Sequence, residues 1–147
     1  MADIKVNAAD LAITKAPNKL LANILGSRLV ITMHDPNKNI GGLAHTTFPK
    51  ELKHLNGIYN ESLMYADNAI EALLEKMIET GSVRENIKAK IIHGPEALPN
   101  SVVSIEDNIS IVREKLKLEG ISVIGECHGS LVEFNTKTCV VIVRTHL

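Results

Sequence analysis

Two apolar runs of strand length, Leu20 to Ile24 and Leu29 to Met33, are separated by Gly26-Ser27, a point where the backbone can turn sharply. Asp35-Pro36-Asn37-Lys38 carries turn chemistry, because proline presets its own backbone angle while Asp and Asn bond nearby amides. A hairpin into a third strand, Ile40 to Phe48, is expected, and the Gly41-Gly42 pair inside it signals a bulge or a close backbone approach. Leu63, Ala66, Ile70, Leu73, Leu74, Met77 and Ile78 then recur at helical spacing between Glu61 and Thr80, with Asn60 as a cap and Gly81 as the stop. Ile87 to Ile92 reads as a strand with Lys88 and Lys90 alternating outward, ended by Gly94-Pro95. A second helix is predicted to start at Ser104, with Asp107 favouring its positive end, Ile109, Val112 and Leu116 as its buried stripe, and Gly120 as its end. Ile121 to Glu126, Leu131 to Phe134 and Cys139 to Val143 read as three more strands. Hairpins with segregated helices point to the α+β class, and the absence of repeats or low-complexity linkers to a single domain, 1–147.

Composition narrows the functional classes. Sixteen basic against seventeen acidic side chains leave a net charge of −1 with no long like-charged block, so nucleic acid is not an expected partner. The longest apolar runs, such as Val140-Val141-Ile142-Val143, are far too short to span a bilayer, so no membrane insertion is expected. Met1-Ala2-Asp3-Ile4-Lys5 lacks the basic and apolar regions of an export signal. Two cysteines, Cys127 and Cys139, suggest no disulfide framework, and a cytoplasmic protein is the expectation.

The stretch from Leu25-Gly26-Ser27-Arg28 through Asp35-Pro36 to Gly41-Gly42-Leu43-Ala44-His45 carries the candidate chemistry. It resembles the signature of the CheD family of chemoreceptor glutamine deamidases: a Leu-Gly-Ser-Cys run, an extended strand, an Asp-Pro turn and a second strand ending Gly-x-x-His. Tyr65-Ala66-Asp67, Ile87 to Gly94 and Asn108 resemble further family motifs, and Glu126 to Gly129 matches a Glu-Asp-x-Gly turn in part. The resemblance implies a CheD-like mixed β-sheet assembly flanked by helices, related to toxin-type cysteine deamidases. It also implies a cytoplasmic monomer or hetero-complex whose partners are the chemoreceptor cytoplasmic region and a CheC-type phosphatase, with no cofactor and no metal.

Departures from the family pattern fall where chemistry is expected. Arg28 stands at the nucleophile position and Ala22 at a threonine position, while His45 keeps the family histidine. The implied pocket comprises Gly26, Ser27, Arg28, His93, Gly94, Cys127, His128 and Gly129. Further departures are His93-Gly94 in place of a Gly-Gly turn, Ser104-Ile105-Glu106-Asp107-Asn108 in place of an Ile-Gly-x-Arg-Asn stretch, and a glycine-rich loop shortened to His128-Gly129-Ser130.

A cysteine suits deamidation because its thiolate attacks and can leave again from a thioester; a guanidinium stays protonated and offers no lone pair. Losing such a nucleophile lowers turnover by roughly a million-fold in well-studied hydrolases. Degraded or absent amidohydrolase activity with a binding or regulatory role is therefore expected. Two alternatives stand beside it. An active deamidase could use a non-standard site, such as His45 with Cys127, if the loops bearing Cys127, His128 and His93 converge on His45, and the same convergence would suit a transition metal. Arg28 itself, a planar five-donor cation, suits a carboxylate or merely fills the pocket mouth.

Overall fold

The computed structural model describes residues 1–26, 28–48, 62–95 and 105–145. Nine strands and two helices lie within them: β1 (Asp3–Lys5), β2 (Asp10–Lys15), β3 (Lys19–Asn23), β4 (Leu29–Asp35), β5 (Ile40–Thr46), α1 (Ala66–Thr80), β6 (Lys88–His93), α2 (Ile105–Leu118), β7 (Ser122–His128), β8 (Leu131–Asn135) and β9 (Val140–Arg144). The α+β expectation holds. Five strands form one sheet in the order β2-β5-β4-β6-β7, and four form a second in the order β1-β3-β8-β9. Among the described strands only the β6–β7 and β1–β3 pairs are parallel.

Two apolar layers explain the pleat. One face of the five-stranded sheet packs Leu29, Ile31, Met33, Ala44 and Ile91 against Ala69, Ile70, Leu73 and Met77 of α1 and Ile109, Val112 and Leu116 of α2. Its other face packs Val30, Leu43 and Ile92 against Leu20, Ala22, Val132 and Phe134 of the four-stranded sheet. The central strands β4 and β5 are buried throughout. That is why Leu29-Val30-Ile31 is a continuous apolar run, since both of its faces meet a core. Lys88 and Lys90 depart from the outward expectation for the same reason. Both share the face of Ile92 toward the second sheet, and the Lys90 ammonium escapes to the β8–β9 turn, donating to the Cys139 carbonyl at 3.1 Å.

The hairpin turn is tied as its sequence suggests. Asp35 is fully buried, and its Oδ1 accepts from the Asn37 and Lys38 amides at 3.0 and 3.3 Å, while Oδ2 accepts from Val83 at 2.9 Å. The Gly41-Gly42 pair is a close approach and not a bulge, for β5 keeps unbroken register with β2 and β4. A Cβ on Gly41 would meet Thr136 and Phe134, and one on Gly42 would meet Leu73 and Ile13, so the two layers close on either side. Gly81 and Gly120, at φ 121° and 76°, end the helices as expected. The first helix begins later than its periodicity suggests: Ser62–Met64 is a 3-10 turn and α1 starts at Ala66. The candidate caps Asn60 and Ser104 lie outside the described residues.

Candidate functional site

Arg28 immediately precedes β4, and strand alternation places it on the inter-sheet side with Val30, since Leu29 faces the helices. His45 lies directly across from Val30 in the β4–β5 ladder. The backbone around Arg28 is held by close glycine contacts. Gly26 sits at φ 63°, the Gly94 amide donates to the Arg28 carbonyl at 2.8 Å, and a Cβ on Gly94 would come within 2.4 Å of the Gly26 oxygen. The guanidinium is half-buried and, among the described residues, makes neither a hydrogen bond nor an ion pair.

His45 is 2% exposed, and its Nδ1 lies 3.1 Å from the Val6 carbonyl. A carbonyl only accepts, so Nδ1 carries the proton and the neutral ring presents a lone pair at Nε2. That Nε2 is buried and has no hydrogen-bond partner among the described residues. Burial holds the His45 pKa below 6.5; the Val6 hydrogen bond opposes this, and the Arg28 charge adds to the depression. The Arg28 charge thus acts on the His45 ring across the β4–β5 pair. The result is an oriented, neutral base in the field of a permanent cation.

The remaining candidates separate. His93 was expected in a loop near the pocket; it is the last residue of β6, fully buried on the helix side. Its Nδ1 donates to the Gly94 carbonyl at 2.6 Å, and its Nε2 faces the Asn108 amide at 3.3 Å, which gives the ring a structural task linking β6 to α2. Cys127 and His128 were also expected in a loop, but β7 runs on to His128, and successive strand residues point to opposite faces. His128 therefore approaches His93, with ring centroids 6.1 Å apart, while Cys127 joins Lys90, Ile92, Val141 and Val143 around a cleft of about 210 Å³ between the sheet edges.

Cys127 shares a face and a row with His45, yet β4 and β6 stand between β5, which carries His45, and β7, which carries Cys127. Three strand spacings amount to about 14 Å. Thiol and imidazole cannot meet, and although Cys127 is exposed as a residue, partial desolvation of its thiol in the cleft moves its pKa up against the opposing pull of Lys90. The His45–Cys127 pair and the four-residue metal site fall together on this geometry; no group of three or more metal-ligating side chains occurs among the described residues. Ala22 is buried in the apolar layer opposite Val132, with no polar atom to offer the site. Gly129 is a packing point, its amide donating to the His93 carbonyl at 3.0 Å, and a Cβ there would run into Val143. Ser27 lies outside the described residues.

The Val6 carbonyl was missed by sequence reasoning. It fixes the His45 tautomer, but it is a backbone group in a segment without strong strand patterning, and no side-chain signal announces it.

Comparison with known proteins was decisive for the family. The family model described as CheD chemotactic sensory transduction matches residues 47–145. The chain belongs to the CheD family. It is 34% identical to the probable chemoreceptor glutamine deamidase CheD 1 of Methanosarcina acetivorans, over 98% of this chain and 92% of that protein. It is also 30% identical to the chemoreceptor glutamine deamidase CheD of Bacillus subtilis, over 97% of this chain and 90% of that one. The CheD match thus spans the Arg28–His45 region through the relatives and the carboxy-terminal two thirds through the family model. Among solved structures, a hypothetical protein YfiH from Bacillus licheniformis superposes with a TM-score of 0.48 at 17% identity, covering 80% of this chain, which spans only 49% of that protein. No described helix is long and apolar enough to cross a membrane.

Proposed function

We propose that this CheD-family chain acts in the cytoplasm as a binding or regulatory component of chemotaxis, engaging the cytoplasmic region of a chemoreceptor or a CheC-type phosphatase, without deamidating glutamine. The observation that carries the reading is the guanidinium at position 28, whose charge acts on the oriented, neutral His45 ring. Deamidation of a side-chain amide needs a nucleophile that attacks the carbonyl carbon, expels ammonia and is then released by water. His45 is built for the base's part in such a sequence, with its proton fixed on Nδ1 toward Val6 and its Nε2 lone pair free. By the family resemblance the nucleophile's position is 28, where this chain carries arginine. The guanidinium there has no pair of electrons to give, and its charge opposes the imidazolium that proton abstraction would create.

The active-enzyme alternative has no second nucleophile at His45 among the described residues, because Cys127 is three strands away. Ammonia release and intact-mass analysis on a receptor cytoplasmic fragment with glutamine at its modification sites test the proposal. Wild-type protein is expected to match the blank, and Arg28→Cys to gain measurable deamidation. Ammonia release by the wild type above an Arg28→Gln control would overturn it.

A further inference from the structure

Among the described residues each sheet ends in two edge strands, and β1, β2 and β7 carry features that discourage pairing with another chain. β1 is three residues long, with Asp3 and Lys5 exposed at its ends, and β2 begins and ends on the exposed charges of Asp10 and Lys15. β7 bulges where its register against β6 shifts between Ala89 and Lys90, and its Glu126 is tied to Arg113 of α2 at 2.7 and 2.8 Å. β9 has neither a bulge nor a charge before Arg144, its last residue. Val140-Val141-Ile142-Val143 pairs with β8 without a break and leaves Val140 and Ile142 50% and 40% exposed. Its other edge pairs with no strand among the described residues. We infer that this edge binds a second copy of itself: two β9 strands pair antiparallel about a two-fold axis at Ile142, joining two four-stranded sheets into one of eight strands. The inference is independent of the reading of Arg28.

The backbone decides which groups are free. The Arg144 carbonyl accepts from the Ser130 amide at 2.8 Å, so it turns toward β8. Backbone groups alternate along a strand, so Val140 and Ile142 turn the same way, and the amides and carbonyls of Val141 and Val143 point to the free edge. Side chains alternate as well. Val141 and Val143 pack toward the five-stranded sheet beside the cleft that holds Cys127, which leaves Val140, Ile142 and Arg144 on the outer face. A two-fold axis perpendicular to a continuous sheet keeps each face on its own side, so outward residues must meet outward residues. Centring the axis on Ile142 satisfies this and overlaps the whole of β9. Val141 then meets Val143 of the second copy on both sides of the axis, closing backbone hydrogen bonds in each pair, while Ile142 meets its own counterpart. Like charges stay apart, because each Arg144 lies opposite a Val140 and the two guanidinium-bearing positions are about 14 Å apart along the strands. A seam one strand wide falls short of the roughly 800 Å² per partner of a stable interface, so the dimer is reversible and forms at high protein concentration.

Sedimentation velocity of the full chain from about 10 µM to about 1 mM tests the inference. The wild type is expected to pass from monomer toward dimer over that range. Because the axis sets position 142 against itself, Ile142→Lys and Ile142→Glu should each stay monomeric, and the two mixed in equal amounts should recover the dimer as opposite charges face across the axis. Position 142 lies away from the inter-sheet core, and circular dichroism checks that both variants keep the fold. Amide exchange of the wild type, followed by NMR, reads the edge without a substitution. The Val141 and Val143 amides should exchange severalfold more slowly at the top of the concentration range than at the bottom, and the Ile142 amide, already turned to β8, should not change. A wild type monomeric throughout, either charge variant dimerising as the wild type does, a mixture that fails to associate, or Val141 and Val143 amides insensitive to concentration would each overturn the inference. Protection of those amides only on adding a receptor cytoplasmic fragment or a CheC-type phosphatase would also overturn it, and would assign the edge to that partner.

Discussion

Gly94→Ala perturbs the point on which the Arg28 turn is hung. The added Cβ would lie 2.4 Å from both the Gly26 carbonyl oxygen and Ile24 Cγ2, and 3.3 Å from the Arg28 oxygen. Ordinary contact begins near 3.4 Å, so two atoms overlap by about 1 Å, and one of them is backbone that cannot rotate away. Relief requires the turn to retreat from β6, which lengthens the 2.8 Å bond from the Gly94 amide to the Arg28 carbonyl. Overpacking costs about 1–3 kcal/mol, and a weakened buried hydrogen bond about 1 kcal/mol more. A loss of about 2–4 kcal/mol is expected, or roughly 5–15 °C in Tm for a domain of this size. Urea denaturation followed by circular dichroism measures it, with Gly125→Ala as the internal control. There the nearest atom to a Cβ is Lys90 Cγ at 3.4 Å, so that substitution should be neutral or stabilising by up to about 1 kcal/mol. A Gly94→Ala protein as stable as wild type, or equal to Gly125→Ala, would refute the close-approach argument.

Two further outcomes follow from buried polar groups. His45 and His34 both have pKa values held below 6.5, His45 first by burial and then by Arg28, and His34 by burial and then Lys90, with Lys88 adding to it and Asp35 opposing. The unfolded chain therefore takes up protons first as pH falls. Their contribution is fully present above about pH 6.5 and shrinks below it until the folded-state pKa values are reached, at up to about 1.4 kcal/mol per pH unit for each histidine. Urea midpoints between pH 8 and 5 should fall along this slope, and His45→Gln should flatten it in part; a pH-independent midpoint would contradict the burial. Asp35→Asn replaces an acceptor facing the Val83 amide by a donor or turns it away, and weakens the charge-assisted bonds to Asn37 and Lys38. A loss of about 2–4 kcal/mol in urea unfolding is expected, and a change below about 0.5 kcal/mol would show that the carboxylate does not tie this turn.

Much of the fold was legible because its signals are local. The Asp35-Pro36 turn, the α1 stripe around Leu73 and Met77, and the stops at Gly81 and Gly120 each need only a few neighbouring residues. Strands β1 and β2 were not read. Asp3–Lys5 is three residues long, and Asp10–Lys15 is an edge strand of half-buried residues in which Ala12 and Thr14 blur the alternation. The outward reading of Lys88 and Lys90 failed because alternation reveals two faces but not that a second sheet covers one of them. The same ignorance of faces allowed His93, Cys127 and His128 to be grouped with His45.

The sequence alone determined the chemical possibilities of the site: a guanidinium at position 28 cannot act as a nucleophile, whatever surrounds it, because it carries no available electron pair. It also determined the order of motifs that identifies the family. Tertiary structure decided which groups act together, since that depends on strand pairing and on which face each side chain takes. Register set His45 across from Val30, where its ring meets the Val6 carbonyl, and it separated Cys127 from His45 by the width of three strands.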